Sequence, residues 1–386
     1  MIRLFCLICR SDQLETVIQL GMHPYADTFI DSDRLKDSEP VFPLECSLCV
    51  NCGHLQTRYQ TDPSDRYSNY EYSYTSSNSS FSRNHWNHFF TEMVSNIKLM
   101  DKSLVVEIGS NDGYLGKNFI DKGLNFIGID ASPDMVKLAE KSGVKTIEGL
   151  FNKTMVKKII NKKGKADLII ANNVLNHSDE PIDFIESINM LLNEQGTFVF
   201  EVPYWPIDFK KRKFDKIYHE HVSYFSFSPL KQLLESQGLK IINLENIDYH
   251  GGSIRVYAMK LEKVSSKEAE NLIELEKEET ESGVFAEINY KEFMNEILLG
   301  RYKSLQNIYK LKEKGFSLIA IGAAARGNTS LNFFNLDSNV IDYVTDISPY
   351  KVGKFTPLTR IPIVPDEIFS DYKKVYAFTL TENINQ

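Results

Sequence analysis

Short apolar runs alternate with amphipathic stretches through the middle of the sequence, and this alternation restricts the fold more than any other feature. The runs are LVVEI (104–108), FIGID (126–130), DLIIA (167–171) and TFVFEV (197–202). Stretches with apolar residues at helical spacing separate them, such as DMVKLAEKSG and EPIDFIESINMLLNEQG. Strands that alternate with helices form a parallel sheet covered on both faces. The sequence therefore predicts an α/β fold with a Rossmann-like central domain.

The order of these patterns predicts three domains. The chain has 386 residues, which is too long for one typical core. Residues 1–65 contain all the cysteines, residues 66–262 contain the alternating runs, and residues 263–386 begin as a charged helical connector and continue as a second α/β pattern. We expect a small cysteine-containing domain, a Rossmann-like domain and a second Rossmann-like domain in that order.

Composition excludes several classes of protein. The formal net charge of −8 does not indicate a nucleic-acid partner. No apolar run approaches the ~20 residues that span a bilayer. The first residues lack the apolar stretch of a signal peptide. We expect a cytoplasmic protein without a membrane partner, whose size and layout are compatible with a monomer.

The five cysteines all lie within the first 52 residues. In a cytoplasmic protein, two C-x-x-C pairs favour a metal over disulfides. Four thiolates suit tetrahedral Zn²⁺ in a closed structural site, and a set of unpaired thiols in a small core is the alternative. The fifth sulfur, of Cys46, is one too many and could replace a ligand. The predicted ligands are Cys6, Cys9, Cys49 and Cys52.

The segment EIGSNDG (107–113) directly follows a predicted strand and leads into a predicted helix. A dinucleotide-binding turn would need glycine at 111 and near 114, where this chain has Asn111 and Tyr114. A turn without those glycines suits a cofactor that has no phosphate, and S-adenosylmethionine is such a cofactor. A purely structural turn is the alternative. The residues of the turn predicted to bind the cofactor are Glu107, Gly109, Asn111, Asp112 and Gly113.

Further cofactor contacts are expected at the ends of neighbouring strands. Glu107 or Asp112 can meet the ammonium group of the cofactor, and Asp130, which ends the next strand, can meet its ribose hydroxyls. The segment ANNVLNHSDEP (171–181) follows another strand, so its Asn172 and Asn173 should face the same cleft. Its His177 is a candidate for the chemistry, although a capping or solvated histidine is the alternative.

The tract YHEHVSYFS (218–226) concentrates groups that can move a proton. Adjacent side chains diverge, so His219 and His221 do not easily share a metal with Glu220, and the helical zinc motif H-E-x-x-H is absent. Acid–base chemistry explains the tract better, with one histidine as base and with Glu220 and Tyr218 orienting or polarising it. Spacing alone does not choose between the two histidines.

Three later segments are predicted to contact the substrate, and the last of them, DISPYKVGKFTP, offers Lys351 and Lys354 in a loop after a strand. In HGGS, the glycines allow the backbone to approach a ligand closely, although a plain hairpin turn is the alternative. The turn GAAARGNT (322–329) follows a strand, and amides at a helix start favour an anion such as a phosphate. A second Rossmann-like domain with an empty site is the alternative there. The residues concerned are His250, Gly252, Ser253, Arg326, Asn328, Lys351 and Lys354.

The whole chain resembles the S-adenosylmethionine-dependent C-methyltransferases of nucleotide-linked deoxysugars. Members of that family act at carbon 3 of a 4-keto sugar attached to thymidine diphosphate, and they have a zinc domain, a cofactor domain and a domain that helps to hold the nucleotide sugar. Arg326 is a departure, since a lysine often stands there, and Cys46 is another. The motifs that carry the resemblance are the cysteine pairs, the YxYxSS tract (Tyr72, Tyr74, Ser76 and Ser77), EIGSNDG, NNVLNH, YHEHVSYFS, HGGS, AARGNTSLNF and KVGKFTPLTRIPI.

The resemblance implies roles for individual residues. It makes His221 the base that removes the carbon 3 proton to form an enolate, with Glu220 and Tyr218 beside it. It places His177, a tyrosine of the 70–74 tract (Tyr72 or Tyr74) and Ser76 near the sugar. Two other classes remain as alternatives, namely an O- or N-methyltransferase acting on a sugar or small metabolite, and a non-catalytic zinc-containing binding protein.

Overall fold

The structure is a computed structural model that describes residues 1–63, 66, 75–264, 269–367 and 374–380. Its N-terminal part is an antiparallel sheet of β1 (Leu14–His23), β2 (Phe42–Cys49) and β3 (Leu55–Thr57). A fourth strand, β9 (Ser223–Tyr224), joins this sheet from the middle of the chain. Because β9 lies within the tract YHEHVSYFS (218–226), the tract is attached to the N-terminal sheet.

A sheet of seven strands forms the centre of the molecule, in the order β10-β11-β8-β7-β4-β5-β6. The strands from β8 to β6 are parallel, and β11 pairs antiparallel with both β8 and β10. All four apolar runs form strands here, because both faces of the sheet are covered. The strands are β4 (Leu104–Ile108), β5 (Asn125–Asp130), β6 (Thr146–Glu148), β7 (Ala166–Ile170), β8 (Leu192–Pro203), β10 (Leu239–Ile247) and β11 (Ser253–Lys260).

The helices that cover this sheet follow the apolar spacing of the sequence. In the first of them Trp86, Phe89 and Met93 are buried, and the Ser79 hydroxyl caps its start by accepting the Ser82 N–H at 3.0 Å. A short 3-10 helix covers Leu175–His177. The α-helices are α1 (Ser80–Asn96), α2 (Tyr114–Asp121), α3 (Pro133–Lys141), α4 (Lys153–Lys163), α5 (Pro181–Leu191), α6 (Trp205–Lys210) and α7 (Phe227–Ser236).

The C-terminal part begins with the expected helical connector, α8 (Glu270–Ser282) and α9 (Glu287–Glu313). A parallel sheet follows in the order β14-β13-β12-β15. None of the helices in the described residues is long and apolar enough to span a bilayer. The remaining elements are β12 (Ser317–Ile321), α10 (Ala325–Phe334), β13 (Tyr343–Thr345), β14 (Ile363–Val364) and β15 (Val375–Thr379).

This architecture confirms the predicted fold class, with a central Rossmann-like sheet between a small N-terminal domain and a second α/β domain. The borders at residues 65 and 262 stay predictions. The N-terminal sheet is built partly from residues 223–224, so the domains are not consecutive pieces of chain in space.

Candidate active site between three domains

A cavity of about 660 Å³ lies at the carboxyl ends of β4, β5 and β7, where ligands bind in open parallel sheets. Residues from all three domains line it, including Asp27 of the N-terminal domain and Ala324 of the C-terminal domain. The predicted site residues that line it are Ser76, Glu107, Gly109, Asn111, Asp130, Asn172, Asn173, His177, Tyr218, Glu220, His221, His250, Arg326 and Lys351.

Glu107 and Asp130 give the central end of the cavity an acidic character. Burial raises the pKa of Glu107 well above its usual value, and the nearby Asp112 and Asp130 raise it further. Glu107 Oε2 is buried and has no hydrogen-bond partner within the described part of the chain. Burial also raises the pKa of Asp130, whose two oxygens accept the N–H groups of Asn111 and Ser132 at 2.8 and 2.9 Å. An unsatisfied buried carboxylate suits a ligand with a cationic group.

Backbone geometry explains the glycines of the first turn. Gly109 has φ of +69°, and a Cβ there would lie 2.3 Å from Val174 Cγ2. Gly113 has φ of +79° at the start of α2, and a Cβ there would lie 2.9 Å from Val144 Cβ. Gly109 lines the cavity, whereas Gly113 shapes the turn from behind.

Asp112 does not line the cavity. Its carboxylate accepts hydrogen bonds from the Ser77 hydroxyl at 2.6 Å and the Ser77 N–H at 3.0 Å, and the Ser76 hydroxyl also donates to it. Asp112 therefore holds the segment before α1 against the turn. Of the two acids considered for the ammonium of the cofactor, Glu107 is the one at the cavity.

The asparagines after β7 border the cavity next to the acidic turn. Asn172 Oδ1 accepts the N–H of Glu201 at 3.0 Å, which leaves its Nδ2 buried and without a partner among the described residues. Asn173 has φ of +55° and donates its N–H to Glu201 O at 2.7 Å. The amide of Asn172 is thus held by the neighbouring strand with a donor left over for a ligand.

His221 is held in a defined tautomer. Its Nδ1 lies 3.0 Å from Lys216 O, and since a carbonyl only accepts, Nδ1 carries the proton. Its Nε2 lies 2.6 Å from the Tyr218 hydroxyl and therefore accepts that hydrogen bond. The ring of His177 contacts it edge-on, with 4.8 Å between centroids.

Burial keeps both of these histidines neutral. It lowers the pKa of His221 well below its usual value, and the neighbouring His177 lowers it further. Burial also lowers the pKa of His177 to about 3. His219 points elsewhere: its ring meets Tyr25 and Phe42 edge-on, and it does not line the cavity. Of the two histidines in the tract, His221 is thus the one at the cavity.

Glu220 lies at the border between the central and N-terminal domains. Its Oε1 accepts the Ala26 N–H at 3.1 Å, and Oε2 has no partner within the described segments. Burial raises the pKa of Glu220 to about 7. The carboxyl group therefore takes either charge state near neutral pH.

The C-terminal side of the cavity is cationic. Lys351 Nζ donates to Ala323 O at 2.7 Å and lies 5.0 Å from the centre of the Phe29 ring. Lys351 is buried, and no ion pair joins it to an acid among the described residues. Arg326 differs, because its Nε donates to Asp215 Oδ2 at 2.8 Å. An anion would meet an uncompensated charge at Lys351 and a paired one at Arg326.

The four predicted zinc ligands form one cluster. Their Sγ atoms all lie within 4.8 Å of one another, with 3.6 Å between Cys6 and Cys52 and 3.5 Å between Cys9 and Cys49. Tetrahedral zinc with Zn–S bonds of ~2.3 Å separates its sulfurs by about 3.8 Å, so the cluster fits the ion. Cys46 lies apart in another core with Tyr224, where burial raises the pKa of its thiol.

Comparison with known proteins gives matches along nearly the whole chain. Three family models match: "Putative zinc binding domain" at residues 6–67, "Methyltransferase domain" at 84–244 and "C-methyltransferase C-terminal domain" at 248–386. The C-methyltransferase NovU of Streptomyces niveus is 29% identical over 379 residues, which cover 98% of this chain and 89% of that protein. These matches show a methyltransferase, and together they support the family of S-adenosylmethionine-dependent C-methyltransferases.

Solved structures of methyltransferases also resemble the enzyme over less than half its length. An S-adenosylmethionine-dependent methyltransferase from Clostridium acetobutylicum is 17% identical and covers 46% of this chain and 92% of its own, with a TM-score of 0.38. Magnesium protoporphyrin IX methyltransferase from Synechocystis, with bound S-adenosylmethionine, is 16% identical and covers 46% and 79%, with a TM-score of 0.35. Because both TM-scores are low, the description of the fold rests on the strand order given above and not on these structures.

Both cofactor predictions for the enzyme are confirmed, namely S-adenosylmethionine and structural Zn²⁺. The methyltransferase family models support the first, and the cysteine cluster together with the zinc-domain match supports the second. The chain's own residues fit both ligands, since Glu107 offers an unsatisfied carboxylate and the four sulfurs lie at the spacing of a metal site.

Some predicted substrate residues of the enzyme lie outside the cavity. Gly252 lies in the turn before β11 and Ser253 is the first residue of β11, where its hydroxyl donates to Tyr249 O at 3.0 Å. Asn328 Nδ2 donates to Ala26 O, and Lys354 lies 3.8 Å from Asp31. Tyr72 and Tyr74 lie outside the described residues.

Lys216 is a cavity residue that the sequence did not single out. Its Nζ lies 2.9 Å from Asp208 Oδ1 and 3.4 Å from Gly252 O. Burial lowers the pKa of Lys216 and raises that of Asp208 to about 6. In the sequence, only its position two residues before Tyr218 pointed to Lys216. Within the cationic stretch KKRKFDKI it resembles a solvated lysine.

Proposed function

We propose that the enzyme methylates carbon 3 of a nucleotide-linked 4-keto-deoxysugar by way of an enolate. The observation that carries this proposal is the fixed, neutral His221, whose Nε2 meets Tyr218 in the cavity that Glu107 and Lys351 also line. Methylation of carbon next to a ketone requires a base, and this histidine is held ready to accept a proton.

His221 accepts the carbon 3 proton on Nε2, and the electron pair of the broken C–H bond moves into the enolate. Nδ1 cannot serve, because it donates to Lys216 O. The Tyr218 hydroxyl already occupies Nε2, so the proton arrives either after Tyr218 has moved aside or through its oxygen, with Tyr218 passing its own proton to His221. The lowered pKa of His221 keeps the ring unprotonated and able to act at neutral pH.

Donors around the ketone oxygen stabilise the enolate. Tyrosine and histidine side chains face the cavity beside His221, among them His177 and His250. Each donor in a preorganised oxyanion site contributes about 2.7–4 kcal/mol. S-adenosylmethionine, held by Glu107 and Asp130, would supply an electrophilic methyl group to the enolate carbon and would leave as S-adenosylhomocysteine.

The two ends of the cavity suit the two ligands. Glu107 and Asp130 favour the ammonium and ribose of the cofactor, while Lys351 favours the diphosphate of the sugar nucleotide. A nucleotide sugar in this orientation extends from the C-terminal domain towards His221. Both reactants then lie in one pocket, which lowers the entropic barrier to methyl transfer.

The test is proton NMR of a thymidine diphosphate 4-keto-6-deoxysugar incubated with the enzyme in heavy water. S-adenosylhomocysteine is present, so that no methyl group can be transferred. We expect the wild-type enzyme to exchange the carbon 3 proton and His221→Ala not to. His219→Ala is the matched control, because it removes a buried histidine of the same tract that does not line the cavity.

Tyr218→Phe separates the two routes of the proton. Exchange that survives in this variant shows direct transfer to His221, and exchange that disappears shows transfer through the hydroxyl. The proposal fails if the wild-type enzyme exchanges no carbon-bound proton in several such sugars while it still binds S-adenosylhomocysteine. That outcome would favour methylation of oxygen or nitrogen.

A further inference from the structure

A peptide group of the N-terminal domain contacts Glu220 directly. The Asp27 N–H lies 3.4 Å from Glu220 Oε1, and the Ala26 N–H lies 3.1 Å from the same oxygen. Both donors are main-chain groups, so their position depends on where the N-terminal domain sits. Asp27 itself lines the cavity.

The other side of the same peptide group is held by the C-terminal domain. Asn328 of α10 donates from Nδ2 to Ala26 O at 2.7 Å, across 302 positions of sequence. The carbonyl of Ala26 and the N–H of Asp27 belong to one planar peptide unit. A hydrogen bond accepted by the carbonyl polarises that unit and strengthens its N–H as a donor. Asn328 and Glu220 are therefore joined through a single rigid group.

The tract YHEHVSYFS (218–226) has a second attachment to the N-terminal domain. The Thr57 N–H donates to Val222 O at 2.9 Å, and Tyr224 of β9 pairs with Leu55 of β3. Glu220 is thus held between two contacts with that domain. A displacement of the N-terminal domain would move Glu220 relative to His221.

From this arrangement we infer that the zinc-binding domain positions Glu220 in the active site and that Asn328 is a positioning residue for this contact. Asn328 does so without touching the ligands, since it does not line the cavity and is 1% exposed. The inference rests on the proposed function for its effect on rate, but not for the contact itself. It gives the zinc domain a part in catalysis beyond the folding of its own residues.

A double-mutant cycle tests the coupling. We expect Asn328→Ala to slow exchange of the carbon 3 proton about tenfold in the wild-type background and less than about twofold in Glu220→Ala, because nothing is then left to position. Asn332→Ala is the matched control on the same helix: it also removes a buried amide, which donates to Asn328 O at 2.8 Å and does not reach Ala26. It should change the rate by the same factor in both backgrounds. Equal factors for Asn328→Ala in the two backgrounds would overturn the inference.

Amide hydrogen exchange of residues 25–28 provides a readout that needs no substrate. Glu220→Ala and Asn328→Ala should each speed exchange in this segment, with zinc content and melting temperature close to those of Asn332→Ala. No change in the segment would overturn the inference even if the enzyme is active. If the wild-type enzyme exchanges no sugar proton, the proposed function fails, and the amide data alone still decide whether this contact exists.

Discussion

The enzyme has two turns of the same kind with opposite charges around them. The first leads from β4 into α2 and lies beside Glu107 and Asp130, whereas the second leads from β12 into α10 and lies beside Arg326 and Lys351. Both turns meet the same cavity. Topology therefore provides the place for a ligand, and a few side chains decide the charge of the ligand that it takes.

The helix dipoles sharpen this contrast. Each helix starts at the cavity with the positive end of its dipole, which favours an anion. At the second turn the dipole and the lysine act together, whereas at the first turn the acids oppose the dipole. A ligand with a cationic group and no phosphate suits the first turn, and a diphosphate suits the second.

A side chain added in the first turn should have the largest effect on stability and on cofactor affinity. Gly109→Ala forces a φ of +69° on a side chain that would lie 2.3 Å from Val174 Cγ2. We expect the free energy of unfolding to fall by about 2–4 kcal/mol and the affinity for S-adenosylhomocysteine to fall by about 100-fold or more, measured by denaturant titration and calorimetry. Gly143→Ala, at φ of +80° with open space around it, is the control and should keep its affinity. Normal binding by Gly109→Ala would show that the turn tolerates a side chain.

Removing the charge of Lys351 at the second turn should have the second-largest effect. Lys351→Met should raise KM for the nucleotide sugar roughly 10- to 150-fold, because a charge-assisted hydrogen bond contributes about 1.5–3 kcal/mol. Binding of S-adenosylhomocysteine, measured by calorimetry, should not change. Lys354→Met removes a neighbouring lysine that does not line the cavity, so its KM should stay near wild type. Similar values for both variants would remove Lys351 from the diphosphate site.

The acidic turn should also make cofactor binding depend on pH. In the free enzyme the pKa of Glu107 is raised, so the group is protonated over a wider pH range, while a bound ammonium favours the ionised form. Binding of S-adenosylhomocysteine should therefore release about one proton at most, and affinity should rise with pH until Glu107 is ionised in the free enzyme. Calorimetry in two buffers of different ionisation enthalpy measures this release. Its persistence in Glu107→Gln would assign the proton to Asp130 or another group.

The smallest expected effect concerns the counter-charge of the second turn. Asp215→Asn weakens the hold on Arg326, so the affinity for the nucleotide sugar should rise about two- to fivefold, in line with the small energies of partly exposed ion pairs. Glu296→Gln, which disturbs the pair with Arg212 away from the cavity, should change nothing. A loss of affinity in Asp215→Asn would show that the pair is needed to orient Arg326.

Periodicity predicted the central sheet well because both faces of its strands are buried, which makes their sequences almost continuously apolar. It was less informative for β9 and β14, which are two residues long and depend on partners far away in sequence. The sharing of β9 with the N-terminal sheet is a long-range pairing that no local pattern encodes.

The motifs supply many of the residues that line the cavity, but they did not say which side chain in each motif faces it. Glu107 and Asp112 lie in one turn, His219 and His221 in one tract, and Lys351 and Lys354 in one loop. Only one residue of each pair lines the cavity, namely Glu107, His221 and Lys351. The local backbone direction decides which one it is, and spacing in the sequence does not determine that direction. Lys216 was hidden for a different reason, since its buried partner Asp208 comes from α6.

The hydrogen bond between Ala26 and Asn328 has a consequence for the synthesis of the enzyme. A chain made from its N-terminus can gather its four sulfurs as soon as Cys52 has left the ribosome. The hydrogen bond to the Ala26 carbonyl cannot form until α10, which carries Asn328, has also emerged. The N-terminal domain is therefore made first but reaches its final position late. A chain that ends before α10 can have a complete cysteine cluster and still lack the contact that holds Ala26.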